Sequence, residues 1–181
     1  GRMNLMVMDL ETRKGTLLTA FDDFDVVGVN WVGDERLVFS LGQFNSPTGA
    51  GQFDGGGLFV VGRDGSNSRR LAPTVRETRA RNQNVYRSLQ FVRTIPGSTD
   101  EIIVQGNQTS ADSDDLYRLN LNNGRTVSLT SGRPADGTFD WLLADKLTPR
   151  VVVSNVKDEL TRVVWHRKDG SSPWEATARY N

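Results

Sequence analysis

A short hairpin with a glycine-containing turn recurs along this chain, and this repeat restricts the fold more than any other feature. Each unit has a strand that begins with paired apolar residues, a polar turn with glycine, and a second short strand. The four units begin at Asn4, Gly57, Asp115 and Arg162, and their turns lie at 13–15, 63–66, 122–124 and 168–170. Asn-Gly and Asp-Gly pairs favour hairpin turns because Asn and Gly tolerate a positive φ. Each unit is therefore predicted to be a β-hairpin.

Another pair of strands precedes each of the last three hairpins. These pairs lie at 27–31 and 36–40, 89–92 and 101–105, and 139–142 and 150–154. Two strands and a hairpin make a four-stranded unit that repeats every 50 residues or so (roughly 50 is the spacing of β-propeller blades). The sequence thus predicts an all-β fold, a partial β-propeller of about three and a half four-stranded antiparallel blades. A β-sandwich is the alternative, but it does not require the four-strand order to recur.

The predicted domain is a single propeller fragment that covers residues 1–181. Its parts are a half blade at 3–21 and blades at 25–74, 88–131 and 137–181.

The composition agrees with short half-buried strands. The 181 residues include 18 glycines, and hydrophobic residues make up 36%, which suits tight turns better than a helical bundle. Basic and acidic side chains number 22 each, so no attraction to nucleic acid or to an anionic membrane is expected. Cysteine is absent, which excludes disulfides and thiolate metal sites. No apolar run is long enough to span a bilayer, and the compartment, bacterial cytoplasm or periplasm, stays open.

Two connections are longer than minimal turns. The segment 43–56 is rich in Gly and is predicted to be a mobile loop within a blade. The segment 74–88 joins two blades and carries clustered arginines, which can meet a ligand carboxylate or a partner surface. It lacks an apolar stripe, so no amphipathic helix is predicted there, and a solvated loop is the alternative to a binding role. The candidate ligand or partner residues on this segment are Arg76, Glu77, Arg79 and Arg81.

No catalytic, cofactor-binding or metal-binding residue is predicted. His166 is the only histidine, and a triad base needs a serine and an acid arranged around it. No Gly-x-Ser-x-Gly motif occurs, so the nucleophile of an α/β-hydrolase is missing from this sequence. Paired carboxylates for glycoside hydrolysis have candidates, but most of these residues fall in turns, where Asp caps the backbone. They are Asp22, Asp23, Asp25, Asp100 and Glu101.

Two further groups receive structural interpretations. The acidic stretch 112–115 lacks the Gly and the Glu of a calcium loop, so it is predicted to be an ordinary acidic turn. Trp31 and Trp141 occupy like places in the first strands of two blades, and they are predicted to pack between blades.

The blade motifs resemble those in the propellers of bacterial prolyl oligopeptidase family serine peptidases, which include the dipeptidyl aminopeptidases and acylaminoacyl peptidases. The resemblance is carried by 32–39 (VGDERLVF), 57–65 (GLFVVGRDG) and 115–120 (DLYRLN) with 123–125 (NGR). It implies a noncatalytic propeller segment that covers the active site of an α/β-hydrolase domain, so that only short peptides reach that active site. That hydrolase domain and a peptide substrate are the partners implied, and no catalytic residue carries over.

Two other functions stay open. A TolB- or WD-like propeller acting as a protein-interaction scaffold shares the same strand patterns, and a propeller enzyme with a central site is a third possibility. An arc of three and a half blades exposes strand edges and apolar faces, so we expect either more chain or a second copy to cover them. Three and a half blades from each of two copies add to seven, which makes a homodimer through the open ends a hypothesis.

Overall fold

The computed structural model describes residues 1–43, 54–156 and 160–181, the side chain of Lys146 excepted. The loop predicted at 43–56 lies mostly outside these ranges. Within them the elements are β1 (Met6–Met8), β2 (Gly15–Leu17), β3 (Asp25–Val32), β4 (Arg36–Gly42), β5 (Gly56–Gly62), β6 (Arg69–Thr74), α1 (Val75–Ala80), β7 (Gln90–Thr94), β8 (Glu101–Ser110), β9 (Ser113–Asn120), β10 (Thr126–Ser128), β11 (Thr138–Leu143), a 3₁₀ turn (Asp145–Leu147), β12 (Pro149–Asn155), β13 (Arg162–His166) and β14 (Glu175–Tyr180).

The strands form one two-stranded sheet and three four-stranded sheets, each antiparallel and in chain order. We call β1–β2 the half blade, β3–β6 blade I, β7–β10 blade II and β11–β14 blade III. The glycine turns predicted from the sequence connect the third and fourth strands of each blade. The prediction of an all-β partial propeller with about three and a half blades is confirmed.

Apolar layers between successive sheets hold the arc together. Side chains alternate across each strand, so one face of a blade packs on the blade before it and the other face on the blade after it. In blade I, Phe39 joins the cluster shared with the half blade, whereas Val38 joins the cluster shared with blade II. In blade II, Ile103 packs toward Trp141 of blade III. Every interior blade therefore has two buried faces.

The half blade repeats the outer hairpin of blade II at a constant spacing of 111 residues. The Leu5 N–H bonds to Thr19 Oγ1 at 2.8 Å, as the Leu116 N–H bonds to Thr130 Oγ1 at 3.1 Å. The same correspondence relates Leu18 N–Leu5 O to Leu129 N–Leu116 O, both 2.8 Å. The half blade therefore consists of the third and fourth strands of a blade.

Helix α1 is a correction to the loop predicted over 74–88. The helix forms without an apolar stripe because its first turn is capped by side chains. Thr74 accepts a hydrogen bond from the Glu77 N–H at 3.2 Å, and the Glu77 carboxylate accepts one from the Thr74 N–H at 2.8 Å. This capping box satisfies donors that the helix itself leaves free.

The two tryptophans predicted to pack between blades behave differently. Trp141 is 7% exposed between blades II and III, and its indole N–H donates to the Asp114 carbonyl at 2.7 Å. Trp31 is 47% exposed, so the prediction is wrong for this residue. Trp31 lies opposite Leu37 in register and so on the face of blade I turned toward the half blade. The half blade has no first or second strand among the described residues to cover it.

Candidate functional site

Connections of two kinds emerge at one end of the propeller, which we call the connection face. Strands alternate in direction, so the second-to-third strand turns and the links between blades share this end, and the glycine turns share the other. Helix α1 lies in the link between blades I and II, and the acidic stretch 112–115 begins at a second-to-third strand turn. Both candidate regions of the sequence therefore lie at the same end.

The arginines of α1 form an ion-pair cluster with aspartates from two other connections. Arg76 pairs with Asp23, which precedes β3, and contacts Asp54, which precedes β5, at 3.8 Å. Arg79 also pairs with Asp54, and the Arg76 guanidinium lies 4.3 Å from the centre of the Phe24 ring. The pairs are partly exposed, so each contributes modestly to stability. Their combined effect is to tie three connections together.

Glu77 and Arg81 occupy different surroundings. Glu77 pairs with Arg70 of β6 in addition to its capping role. Burial opposes its ionisation, but the Thr74 N–H and the Arg70 charge prevail and lower the pKa of Glu77 below its usual value. Arg81 is exposed and forms no ion pair with a described residue. Of the four predicted residues, three thus hold the connection in place, and Arg81 is left facing solvent.

A buried polar network at the start of β9 is the feature that the acidic-turn prediction misses. Asp115 is 2% exposed and accepts hydrogen bonds from Thr109 Oγ1 at 2.7 Å and Thr130 Oγ1 at 3.0 Å. Arg133 donates to the same carboxylate at 2.8 Å and to Asp136 at 2.8 Å. A carboxylate so deeply buried is tolerated because each oxygen has a donor.

The acid–base properties of this region follow from its burial. Burial raises the pKa of Asp114, and the neighbouring Asp115 charge adds to the effect. Burial likewise raises the pKa of Tyr117, whose hydroxyl lies 3.3 Å from Thr109 Oγ1. The hydrogen bond to Asp136 leads the causes that raise the pKa of Arg133. The network therefore positions the 133–137 link against blade II.

A cleft of about 780 Å³ opens beside this network between blades II and III. Trp165 and Val163 of β13 form an apolar wall, and the Trp165 indole N–H donates to Ser154 Oγ at 2.9 Å. The charged residues Asp112, Asp136 and Arg179 also line the cleft. The cleft thus presents apolar surface between charges of both signs.

The sequence contains a signal for this network in its repeat. Asp115 and Thr130 are spaced as Asn4 and Thr19 are, and the Asn4–Thr19 pair makes the same contact, Thr Oγ1 to Asx Oδ1, at 2.9 Å. The cleft has no such signal. It depends on the relative placement of two blades, which local sequence does not specify.

Other candidates from the sequence do not assemble into a site. His166 ends β13 on the face turned away from blade II, opposite Val151 and Glu175 in register. Within the described ranges, no three His, Asp or Glu side chains are grouped to hold a metal ion. No helix in the part of the chain that the structure describes is long and apolar enough to cross a bilayer.

The blade order and the apolar layers define the class of this chain, a partial β-propeller. No protein-family model and no curated protein matches it. Among solved structures, it is similar to an oligogalacturonate lyase in complex with manganese, with 14% identity and a TM-score of 0.50, covering 98% of this chain and 48% of that one. It is also similar to TolB from Acinetobacter baumannii, with 12% identity and a TM-score of 0.49, covering 96% of this chain and 37% of that one. The chain spans less than half the length of either structure, and the likeness shows the fold alone.

Proposed function

We propose that this chain is a noncatalytic propeller segment whose connection face receives a polypeptide, as part of the cover over the active site of a prolyl-oligopeptidase-type serine peptidase. The cleft between blades II and III carries the proposal. A peptide offers apolar side chains and, at its ends, charges of both signs. Trp165, the carboxylates of Asp112 and Asp136 and the Arg179 guanidinium provide complementary groups, and such mixed lining orients a ligand within an otherwise apolar pocket.

The peptidase setting rests on the blade motifs of the sequence. The segments 32–39, 57–65 and 115–120 resemble propellers of that family, and a cover that touches peptides suits a cleft lined in this way. The resemblance assigns the chemistry of hydrolysis to a separate domain. We therefore expect no turnover of chromogenic prolyl substrates by this chain alone.

The binding proposal is tested by titrating the protein with a short prolyl peptide that has free termini, followed by tryptophan fluorescence and calorimetry. Arg179→Ala should weaken binding by about tenfold, the effect of losing one charge-assisted hydrogen bond. Arg125→Ala removes an arginine from the opposite end of the propeller and should leave binding unchanged. Equal affinity in the Arg179 variant, or no binding to the unaltered protein, contradicts the proposal.

The parent protein is tested separately by reading the gene beyond this segment. A downstream Gly-x-Ser-x-Gly followed by Asp and His supports the peptidase. A reading frame that stops after Asn181 contradicts it.

A propeller scaffold for protein interaction is the second candidate. It uses the same cleft with a folded partner, and the exposed Arg81 at this end of the molecule favours a contact broader than the cleft. This alternative is supported if Arg81→Ala weakens binding of the partner. It also requires that the reading frame lacks a hydrolase domain.

A further inference from the structure

The strand β1 has an open edge within the described part of the chain. On one side it pairs with β2, and the Leu18 and Asp9 amides donate to Leu5 O and Lys14 O across that pair. Antiparallel strands direct the backbone groups of alternate residues to alternate sides. The N–H and C=O groups of Met6 and Met8 therefore point toward the open edge.

The equivalent edge in blade II is occupied. At the spacing of 111 residues, Met6 and Met8 correspond to Tyr117 and Leu119 of β9, which pair with Val104 and Ile102 of β8. The three consecutive β8 residues at this place are completely buried; they are Ile102, Ile103 and Val104. A strand equivalent to β8 is what the edge of β1 lacks.

A second, independent observation points to the same missing element. Trp141 is covered on the side of blade II by a cluster that includes Ile103 of the second strand and Ile95, which follows the first. Trp31, its counterpart in blade I, is 47% exposed against 7% for Trp141. Trp31 faces the position where the first two strands of the half blade would lie. One two-stranded element would therefore fill the edge and cover the tryptophan.

We propose that the open edge of β1 is a docking site for an apolar β-hairpin, which pairs antiparallel with β1 and completes the half blade as a four-stranded sheet. The strand beside β1 carries apolar residues opposite Met6, Val7 and Met8, as β8 carries Val104, Ile103 and Ile102 opposite their counterparts. The residue opposite Val7 faces blade I and covers Trp31, as Ile103 covers Trp141. Main-chain hydrogen bonds between β1 and the added strand provide the affinity, and the alternating side chains fix the register in which the two strands pair. The proposal does not depend on the peptide-binding function.

The experiment uses a fusion in which a copy of residues 88–112 is placed directly ahead of Arg2 in the otherwise full chain. This junction keeps the 111-residue correspondence and retains the contacts of Arg2 and Met3 with Asp25. We expect amide exchange at Met6 and Met8 to slow at least about tenfold, because the added strand gives their N–H groups acceptors. Tryptophan emission should shift to the blue, and Trp31→Phe in the fusion should remove most of that shift.

Two controls make the result specific. A Gly-Ser extension of equal length should change neither exchange nor emission. The same fusion with Asp in place of the added counterpart of Ile103 should lose both effects, because an unpaired carboxylate would then face Trp31.

Two outcomes overturn the proposal. One is unchanged amide exchange at Met6 and Met8 in a fusion that circular dichroism shows to be folded. The other is protection of those amides in a dimer of the unmodified chain, since a second copy would then occupy the edge.

Discussion

At the scale of single residues, Asp115 carries the largest expected effect on stability. Its carboxylate is buried and has three side-chain donors, from Thr109, Thr130 and Arg133. Asp115→Ala removes the acceptor that these three donors share and should lower the free energy of unfolding by about 3 kcal/mol, as for a broken buried pair. Asp136→Ala removes only the exposed partner of Arg133 and should cost less than about 1 kcal/mol. Urea denaturation measures both, and equal losses would contradict the network as described.

Glu77 gives a prediction about pH. Its pKa is lowered in the folded state, so its contribution is complete above the unfolded-state pKa of about 4.3 and is lost as the pH falls through the lower folded-state value. Glu77→Gln keeps an acceptor for the cap but removes the charge that pairs with Arg70. We expect the variant to be less stable by up to about 1 kcal/mol at pH 7, and the difference should shrink as the pH falls below about 4.3. A constant difference across that range would show that the charge is irrelevant.

At the scale of the elements, the repeat provides a matched pair of positions. Leu119 of β9 is fully buried against blade I, whereas its counterpart Met8 of β1 is 50% exposed. Leu119→Ala should destabilise the protein by about 3 kcal/mol, and Met8→Ala by less than about 1 kcal/mol. Chemical denaturation measures both values. Comparable losses would mean that the face of β1 turned away from blade I is covered in solution.

The elements also show where local sequence is sufficient and where it is not. The hairpins were predicted because glycine turns and alternating apolar residues are local signals, as at Gly124 beside β9. Helix α1 has a local signal in the Thr74-x-x-Glu77 capping box, which a search for an apolar stripe misses. Only its ion pairs with Asp23 and Asp54 come from residues that are distant in sequence. The exposure of Trp31 was missed because it depends on which strands the preceding blade contains.

At the scale of the whole molecule, both ends of the arc expose apolar side chains. Met6, Met8 and Leu10 lie on the half blade, and Leu142 and Tyr180 lie on blade III. The counterparts of the first three, Tyr117, Leu119 and Leu121, are at most 3% exposed because blade I covers them. We propose that the chain self-associates through these terminal sheet faces, a contact between side chains that leaves the backbone edge of β1 unpaired.

Light scattering at increasing concentration tests this proposal. The mass should rise toward that of a dimer, because contact between the two faces removes apolar surface from water. Leu142→Lys should reduce association, whereas Leu160→Lys, at a residue that is 92% exposed but outside the sheets, should not. A strictly monomeric mass at high concentration contradicts the proposal.

The recurring glycine hairpin by itself determined the all-β class, the four-strand unit and the approximate number of blades, because turn chemistry and side-chain alternation act over a few residues. Only the tertiary structure decided what the charged and aromatic residues do. Arg76 and Arg79 form ion pairs within the chain, and Asp115 is the centre of a buried network. Trp31 is exposed, whereas Trp141 is covered. Each of these outcomes depends on which distant blade lies opposite, and that relation is set by packing between sheets rather than by neighbours in the chain.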